Sequence, residues 1–145
     1  MSTLNFLVTG AAGYIGSHVA LQLIAEDHFV VGLDNLSNSD GQRIRGICPL
    51  VEADLNDRDA ISGALQRYKI DSVIHLAALK SPEQSTQKPE LYIYNNEIGT
   101  KALLEESIKQ GVEIYNNVTI GLNSGVIYDI QFSGVYGGVP ARMIK

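Results

Sequence analysis

Apolar residues fall along the first hundred positions of this chain in two alternating rhythms. "LNFLVTG", Leu4 to Gly10, is a short apolar run that stops at a glycine-rich turn. From Tyr14 onward Ile15, Val19, Leu21, Leu23 and Ile24 fall mostly on one helical face, so the pattern predicts strand, turn and helix. "FVVGLD" predicts a second strand that ends in an acid and the polar loop "NLSNSDGQR", and "GICPLVEAD" a third with Pro49 near its start. Asp57 is placed to cap a helix from Asp57 to Tyr68 whose inner face carries Ile61, Ala64 and Leu65. "DSVIHLAA" is almost continuously apolar, as a parallel strand covered by helices on both faces should be. "PELYIYNNEIGTKALLEESIKQG" predicts a long helix with Leu91, Asn95, Ile98, Ala102 and Leu103 inward and Gly111 at its end. Strands alternating with helices define an α/β class with a parallel sheet.

Beyond Gly111 the rhythm stops. "VEIYNNVTIGLNSGVIYDIQFSGVYGGVPARMIK" is rich in Gly, Asn and β-branched residues, has no helical period, and shows strand-like runs broken by "NSG" and "SG" turns. No low-complexity linker separates the halves. The expected organisation is therefore an α/β domain over residues 1–111 and a short β-rich tail, not an independent domain, over residues 112–145.

Composition narrows the partners. The chain has 145 residues, room for one domain. A net charge of -5, with 11 scattered basic residues, argues against nucleic acid or an anionic membrane, which are bound by clustered Lys and Arg. Cys48 is alone, which excludes an internal disulfide and leaves no metal-ligand cluster in sequence. No apolar run approaches the ~18 residues a membrane span requires, and "MSTLNFLVTG" lacks the basic start of a secretory signal. A cytoplasmic protein is expected.

The chemistry-bearing motif is "VTGAAGYIGSH", in which Gly10, Gly13 and Gly16 follow a predicted strand and open a predicted helix. The first glycine permits a tight turn, the second close approach of backbone to a pyrophosphate, and the third close packing of helix on strand, while the helix N-terminus offers free N–H groups. The alternative is a tight turn with nothing bound. Asp34 ends the second strand about twenty residues on, where an acid accepts hydrogen bonds from a ribose 2′-OH and repels a 2′-phosphate, which favours NAD over NADP. Asp54 with Leu55 either meets the adenine edge or caps the next helix. "LAALK" follows the fourth strand at the carboxyl edge of the sheet, where Ala77 and Ala78 leave room and Lys80 either reaches the cofactor or is an ordinary loop lysine.

With these residues in view, "VTGAAGYIGSHVALQLI", "LDNLSNS", "VEADLNDRDAI" and "KIDSVIHLAALKSPEQSTQKPELYIYNNEIGTKALLE" together resemble the N-terminal part of the UDP-glucose 4-epimerases, within the extended short-chain dehydrogenase/reductase superfamily. The resemblance covers about Leu4 to Gly111 and implies a partial Rossmann-type, doubly wound parallel sheet with tightly bound NAD. It implies pyrophosphate contacts from Gly10, Gly13, Tyr14, Ile15 and Gly16, and ribose-side contacts from Asp34, Asn35, Ser37, Asn38 and Ser39. Asp54 and Leu55 would meet adenine, Ala77, Ala78 and Lys80 form the fourth-strand loop, and Asn95 lie near the cofactor. The loop between Asp34 and Cys48 is shorter than in many members. A UDP-sugar is the substrate class that the family implies.

The same resemblance exposes what is missing. Members of the family deprotonate a sugar hydroxyl with a tyrosine whose pKa is lowered by a lysine four residues later on the same helix. The residues at that distance from Tyr14, Tyr68, Tyr92, Tyr94, Tyr115, Tyr128 and Tyr136 are His18, Ser72, Asn96, Ile98, Thr119, Phe132 and Pro140. None is lysine. No catalytic residue is expected here, and "FSGVYGG" echoes the family's serine-bearing strand without the helix that should follow. The chain reads as a truncated, catalytically incompetent NAD-binding domain, with two alternatives: an epimerase or dehydratase completed by a partner chain, and a non-catalytic interaction module.

The tail resembles the end of a hexapeptide-repeat acyltransferase of the left-handed parallel β-helix family. Ile114, Val118 and Ile120–Gly121 lie at near-hexad spacing, "VIYDI" reads as a last coil and "YGGVPARMIK" as the closing segment. A coil cannot bury its apolar face alone, and solenoids need about three repeats. His18, His28 and His75 all precede the tail and are expected to be structural or exposed. The tail then either adds "VTIGL" and "VIYDIQF" as a hairpin to the sheet, or stays disordered, exposing Ile, Val and Tyr in a way that favours self-association.

Overall fold

The computed structural model describes residues 3–112 in full and, by backbone alone, residues 118–120, 134–137 and 142–144. The chain divides into two compact units, Met1–Glu113 and Ile114–Lys145. In the first, β1 (Asn5–Thr9), β2 (Phe29–Asp34), β3 (Leu50–Glu52) and β4 (Ser72–His75) form one sheet in the order β3-β2-β1-β4, and every pairing is parallel. This is an α/β fold, and its strand order reverses between β1 and β4, the place where such sheets open a crevice at their carboxyl edge.

The sheet is buried on both faces because successive strand residues alternate sides. Leu7, Val31, Leu33 and Val73 meet Ile61 and Leu65 of α2 (Arg58–Arg67) and Leu103 of α5 (Gly99–Lys109). On the opposite face Phe6, Val8 and Val30 meet Ala20 of α1 (Tyr14–Ala25), with Ile44 from the loop after β2. Asp57 caps α2 by accepting the Ala60 N–H at 3.0 Å, and Arg58 pins α2 to α5 through Glu105 and Glu106 at 2.6 and 3.0 Å. Gly111 closes α5 in the left-handed region (φ 66°), and the Val112 N–H turns back to the Ser107 carbonyl at 3.0 Å. Asp27 and Lys69 adopt the same left-handed cap after α1 and α2, at φ 64° and 48°.

Two inner faces differ from the pattern. In α1 the buried residues are Gly16, Ser17 and Ala20, and Leu23 and Ile24 pack against the core as expected, while Ile15 and Leu21 are exposed. Leu91 and Ile98 are also exposed, and the long helix is interrupted: α4 (Pro89–Tyr92) runs through a π-helical stretch, Ile93–Ile98, into α5. The shift to wider turns re-phases the helix. It leaves Gly99, Ala102 and Leu103 as the inward residues. A further short helix, α3 (Pro82–Gln87), precedes it, with Ser81 accepting the Gln84 N–H as cap. No helix among the described residues is long and apolar enough to cross a membrane.

In the second unit β5 (Val118–Ile120), β6 (Gly134–Gly137) and β7 (Arg142–Ile144) form a three-stranded sheet of their own. β5 and β6 are parallel, β6 and β7 antiparallel. Of the two arms of the expected hairpin, "VTIGL" contains β5, while "VIYDIQF" lies outside the described residues. So do Ile114 and the "VIYDI" coil.

Candidate functional site

At the carboxyl ends of β1, β2 and β4 lies an open cleft of about 530 Å³, within the usual range for a small-molecule site. Its base is the turn Gly10–Gly13. Gly10 adopts φ 69°, and its N–H is held by the Leu33 carbonyl at 2.9 Å. A Cβ at Gly16 would stand 2.0 Å from the Gly10 carbonyl oxygen, so α1 abuts the turn at a distance only glycine allows. The helix that starts here has no side-chain cap and no acid in its first turn. Its leading N–H groups thus remain available to an anion at the cleft.

Asp34 stands at the end of β2 and braces this turn. Its Oδ2 accepts the Ala12 N–H at 3.0 Å and its Oδ1 the Leu36 N–H at 2.9 Å. Each carboxylate oxygen keeps a lone pair for a further donor. Ser39 adds a hydrogen bond to the Ala12 carbonyl at 2.8 Å, fastening the polar loop across the turn.

Of the residues singled out in sequence, Gly10, Gly13, Tyr14, Ile15, Gly16, Asp34, Asn35, Ser37, Asn38, Ser39, Leu55, Ala77, Ala78, Lys80 and Asn95 all line this one cleft. Asp54 does not. Its carboxylate accepts the Asn35 amide at 3.0 Å and both the backbone and the side-chain N–H of Asn56 at 2.9 Å. Burial alone would raise its pKa, but these donors together outweigh burial and hold the group below the usual carboxylate range.

The cleft also contains residues that sequence reading passed over. Arg43 also lines the cleft and, among the described residues, has no carboxylate within salt-bridge reach. At the other end Tyr92 accepts the Ser81 N–H at 2.9 Å, donates to one of two acceptors, the Ser81 carbonyl at 2.9 Å or Gln84 at 3.1 Å, and joins both residues in the lining. Ser81 and Pro82 mark a helix start in the sequence, but nothing local to it shows that the start meets Tyr92.

His18 is exposed and meets the Tyr14 ring at a tilt of 50°, and His28 accepts the Leu4 N–H at 3.3 Å. His75 ends β4 between two hydroxyls, Thr9 Oγ1 at 2.7 Å from Nδ1 and Thr100 Oγ1 at 2.8 Å from Nε2, and burial pushes its pKa down from 6.5. The unfolded chain therefore takes up a proton that the folded one refuses. Stability attributable to this ring is full above about pH 6.5 and is lost as pH falls below it, by at most about 1.4 kcal/mol per pH unit. The melting midpoint of His75→Gln should accordingly fall less between about pH 7 and about pH 5 than that of the wild type. Parallel slopes would refute the assignment, since the carboxylates are common to both proteins.

Residues 6–130 match the model of the NAD dependent epimerase/dehydratase family. The match continues past Gly111 into the segment that resembles an acyltransferase. A UDP-glucose 4-epimerase of Cyamopsis tetragonoloba is 44% identical over 121 residues, which cover 77% of this chain and 35% of that protein. The UDP-glucose 4-epimerase of Erwinia amylovora is 41% identical over 132 residues, covering 86% and 38%. Among solved structures, the Thermus thermophilus UDP-glucose 4-epimerase in complex with NAD superposes with a TM-score of 0.74 at 33% identity, over 81% of this chain and 37% of the other. The Thermotoga maritima enzyme with UDP-glucose gives 0.76 at 35% identity, over 81% and 38%. The chain thus spans a little over a third of the length of the curated relatives it matches.

Proposed function

This chain belongs to the NAD dependent epimerase/dehydratase family, and from that premise we propose that it contributes the family's cofactor site, binding NAD in the cleft at the β1–β4 switch point. The observation that carries the reading is the uncapped start of α1 packed on the Gly10–Gly16 turn with Asp34 beside it. In this reading Gly13 and the first-turn N–H groups of α1 hold the pyrophosphate, and Lys80 adds charge to the same end. Asp34 receives the adenosine ribose hydroxyls, with Asn35, Ser37, Asn38 and Ser39 along that wall. Leu55 borders the adenine end, and Ala77, Ala78 and Asn95 line the wall after β4. NAD, when bound, supplies a hydride acceptor.

The proton-transfer partner of that chemistry is not in this chain, since no tyrosine has a lysine four residues on. The substrate class of a complete site is a UDP-sugar, by analogy with relatives that interconvert or bind one. The chain alone should therefore bind NAD without turnover.

A thermal-shift titration tests this. A ligand bound only by the folded state adds about 2.7 kcal/mol at a hundredfold excess over Kd, which for a unit of this size raises the melting midpoint by roughly 5 to 15 °C. NAD should produce that shift, and the same sample should leave UDP-glucose unconverted to UDP-galactose. No shift would mean an interaction module with an empty glycine turn. Turnover would mean an enzyme completed by groups outside the sequence pattern.

A further inference from the structure

His75 does not line the cleft, yet the wall formed after β4 depends on it. Thr9 Oγ1, wholly buried, accepts the N–H groups of Leu76 at 3.1 Å and Ala77 at 3.2 Å. A hydroxyl has two lone pairs and one proton. The Leu76 N–H is shared with the Thr9 carbonyl at 3.2 Å, and among the described residues the acceptor within reach of the hydroxyl proton is His75 Nδ1 at 2.7 Å, so that nitrogen must be bare. The proton of the neutral ring is then on Nε2, 2.8 Å from Thr100 Oγ1, whose own proton goes to the Asn96 carbonyl at 2.7 Å. The two hydroxyl protons and the ring proton each then have one acceptor: Thr9 to Nδ1, Nε2 to Thr100, and Thr100 to the Asn96 carbonyl. The Asn96 side chain completes the path, taking the Leu79 N–H and giving to the Leu79 carbonyl, both at 2.8 Å. Thr9 thus holds the near end of the Leu76–Leu79 loop and Asn96 the far end, and His75 ties the two together across the π-helical turn.

We propose that His75 is a positioning residue of the cleft: as a neutral ring protonated on Nε2 it orients the Thr9 and Thr100 hydroxyls and so fixes the Leu76–Lys80 loop and the Asn95–Asn96 turn at the spacing the ligand requires. A variant with an unoriented Thr100 end keeps the fold but lets this wall shift. The role rests on the NAD reading for its effect on affinity, though not for its proton arrangement.

The test uses the full chain in two measurements. In the 15N-labelled protein, long-range proton–nitrogen correlations at neutral pH should show His75 with a bare Nδ1 and a protonated Nε2. An Nδ1-protonated ring, or the averaged signal of a free imidazole, overturns the proposal. In calorimetry, Thr100→Val, which keeps the shape and removes the hydroxyl, should weaken NAD about five- to tenfold, the scale of one hydrogen bond, while Thr100→Ser restores wild-type affinity. NAD binding unchanged in Thr100→Val, or equally weak in Thr100→Ser, removes the positioning role and leaves the cofactor reading standing. A wild type that binds no NAD overturns the cofactor reading itself and this role with it.

Discussion

Gly16→Ala should abolish NAD binding and cost the fold about 3 kcal/mol or more, on the scale of overpacking a closed site. The added Cβ would lie 2.0 Å from the Gly10 oxygen and 2.9 Å from the Ala11 Cα, both backbone atoms. Gly10 cannot yield, because it is held at φ 69° and a Cβ of its own would lie 2.8 Å from the Ala77 nitrogen. The turn is wedged between α1 and the loop after β4, so relief on one side creates a clash on the other. Gly13→Ala provides the contrast. Gly13 has φ -72° and ψ 173°, open to any residue, and its added Cβ would meet only the Gly10 oxygen, at 3.2 Å. Its melting midpoint should stay within a few degrees of the wild type. Its NAD affinity should still fall at least about tenfold, because the methyl stands where backbone must approach phosphate. Thermal melts and calorimetry on the two variants separate fold from site. A stable Gly16→Ala, or a Gly13→Ala that binds NAD as tightly as wild type, would dissolve the distinction.

That contrast bears on what could be read beforehand. The glycine turn, Asp34 and the four strands were legible because each depends on near neighbours: a run of apolar residues, a spacing of three, an acid at a strand end. The burial of α1 was legible only in part, because a helical period reveals which residues share a face but not how close that face comes to the sheet at Gly16. Leu23 and Ile24 pack inward as the period predicts, but at the N-terminal end Gly16, Ser17 and Ala20 make the contact and Ile15 and Leu21 are left in solvent. The far end of the cleft was illegible for another reason. Ser81 and Tyr92 are 11 positions apart and meet only because a capped helix turns the chain around. Leu91 and Ile98 fit a single helical period on paper, but the π-helical stretch between α4 and α5 re-phases them. Such a shift leaves no compositional trace. Asp54 is engaged by Asn35 and Asn56 and lies off the lining, while its neighbour Leu55 lies on it.

Asp34→Asn should weaken NAD by roughly a hundredfold and narrow the preference for NAD over NADP, through two effects of one substitution. The first concerns the turn. Both carboxylate oxygens accept backbone N–H groups, from Ala12 and from Leu36, and Leu36 is a non-glycine residue at φ 55° in the left-handed region. An amide presents one oxygen and one NH₂, so one of these backbone donors would face another donor. The cost of losing a hydrogen bond to a charged group, about 1.5–3 kcal/mol, then falls on the conformation that shapes the cleft. The second effect concerns selectivity. A ribose diol donates to a carboxylate, and a 2′-phosphate is repelled by it, so the wild type should bind NADP at least about a hundredfold more weakly than NAD. Arg43 lines the same cleft without a carboxylate partner among the described residues, and its charge should attract a 2′-phosphate whichever residue occupies position 34. With the negative charge removed, Arg43 acts unopposed and NADP should gain while NAD loses. Calorimetric titration of both nucleotides against wild type, Asp34→Asn and Asp34→Asn/Arg43→Gln resolves the contributions: the second substitution should take back the gain in NADP. Equal affinity of the wild type for the two nucleotides would show that Asp34 braces the turn without selecting the cofactor.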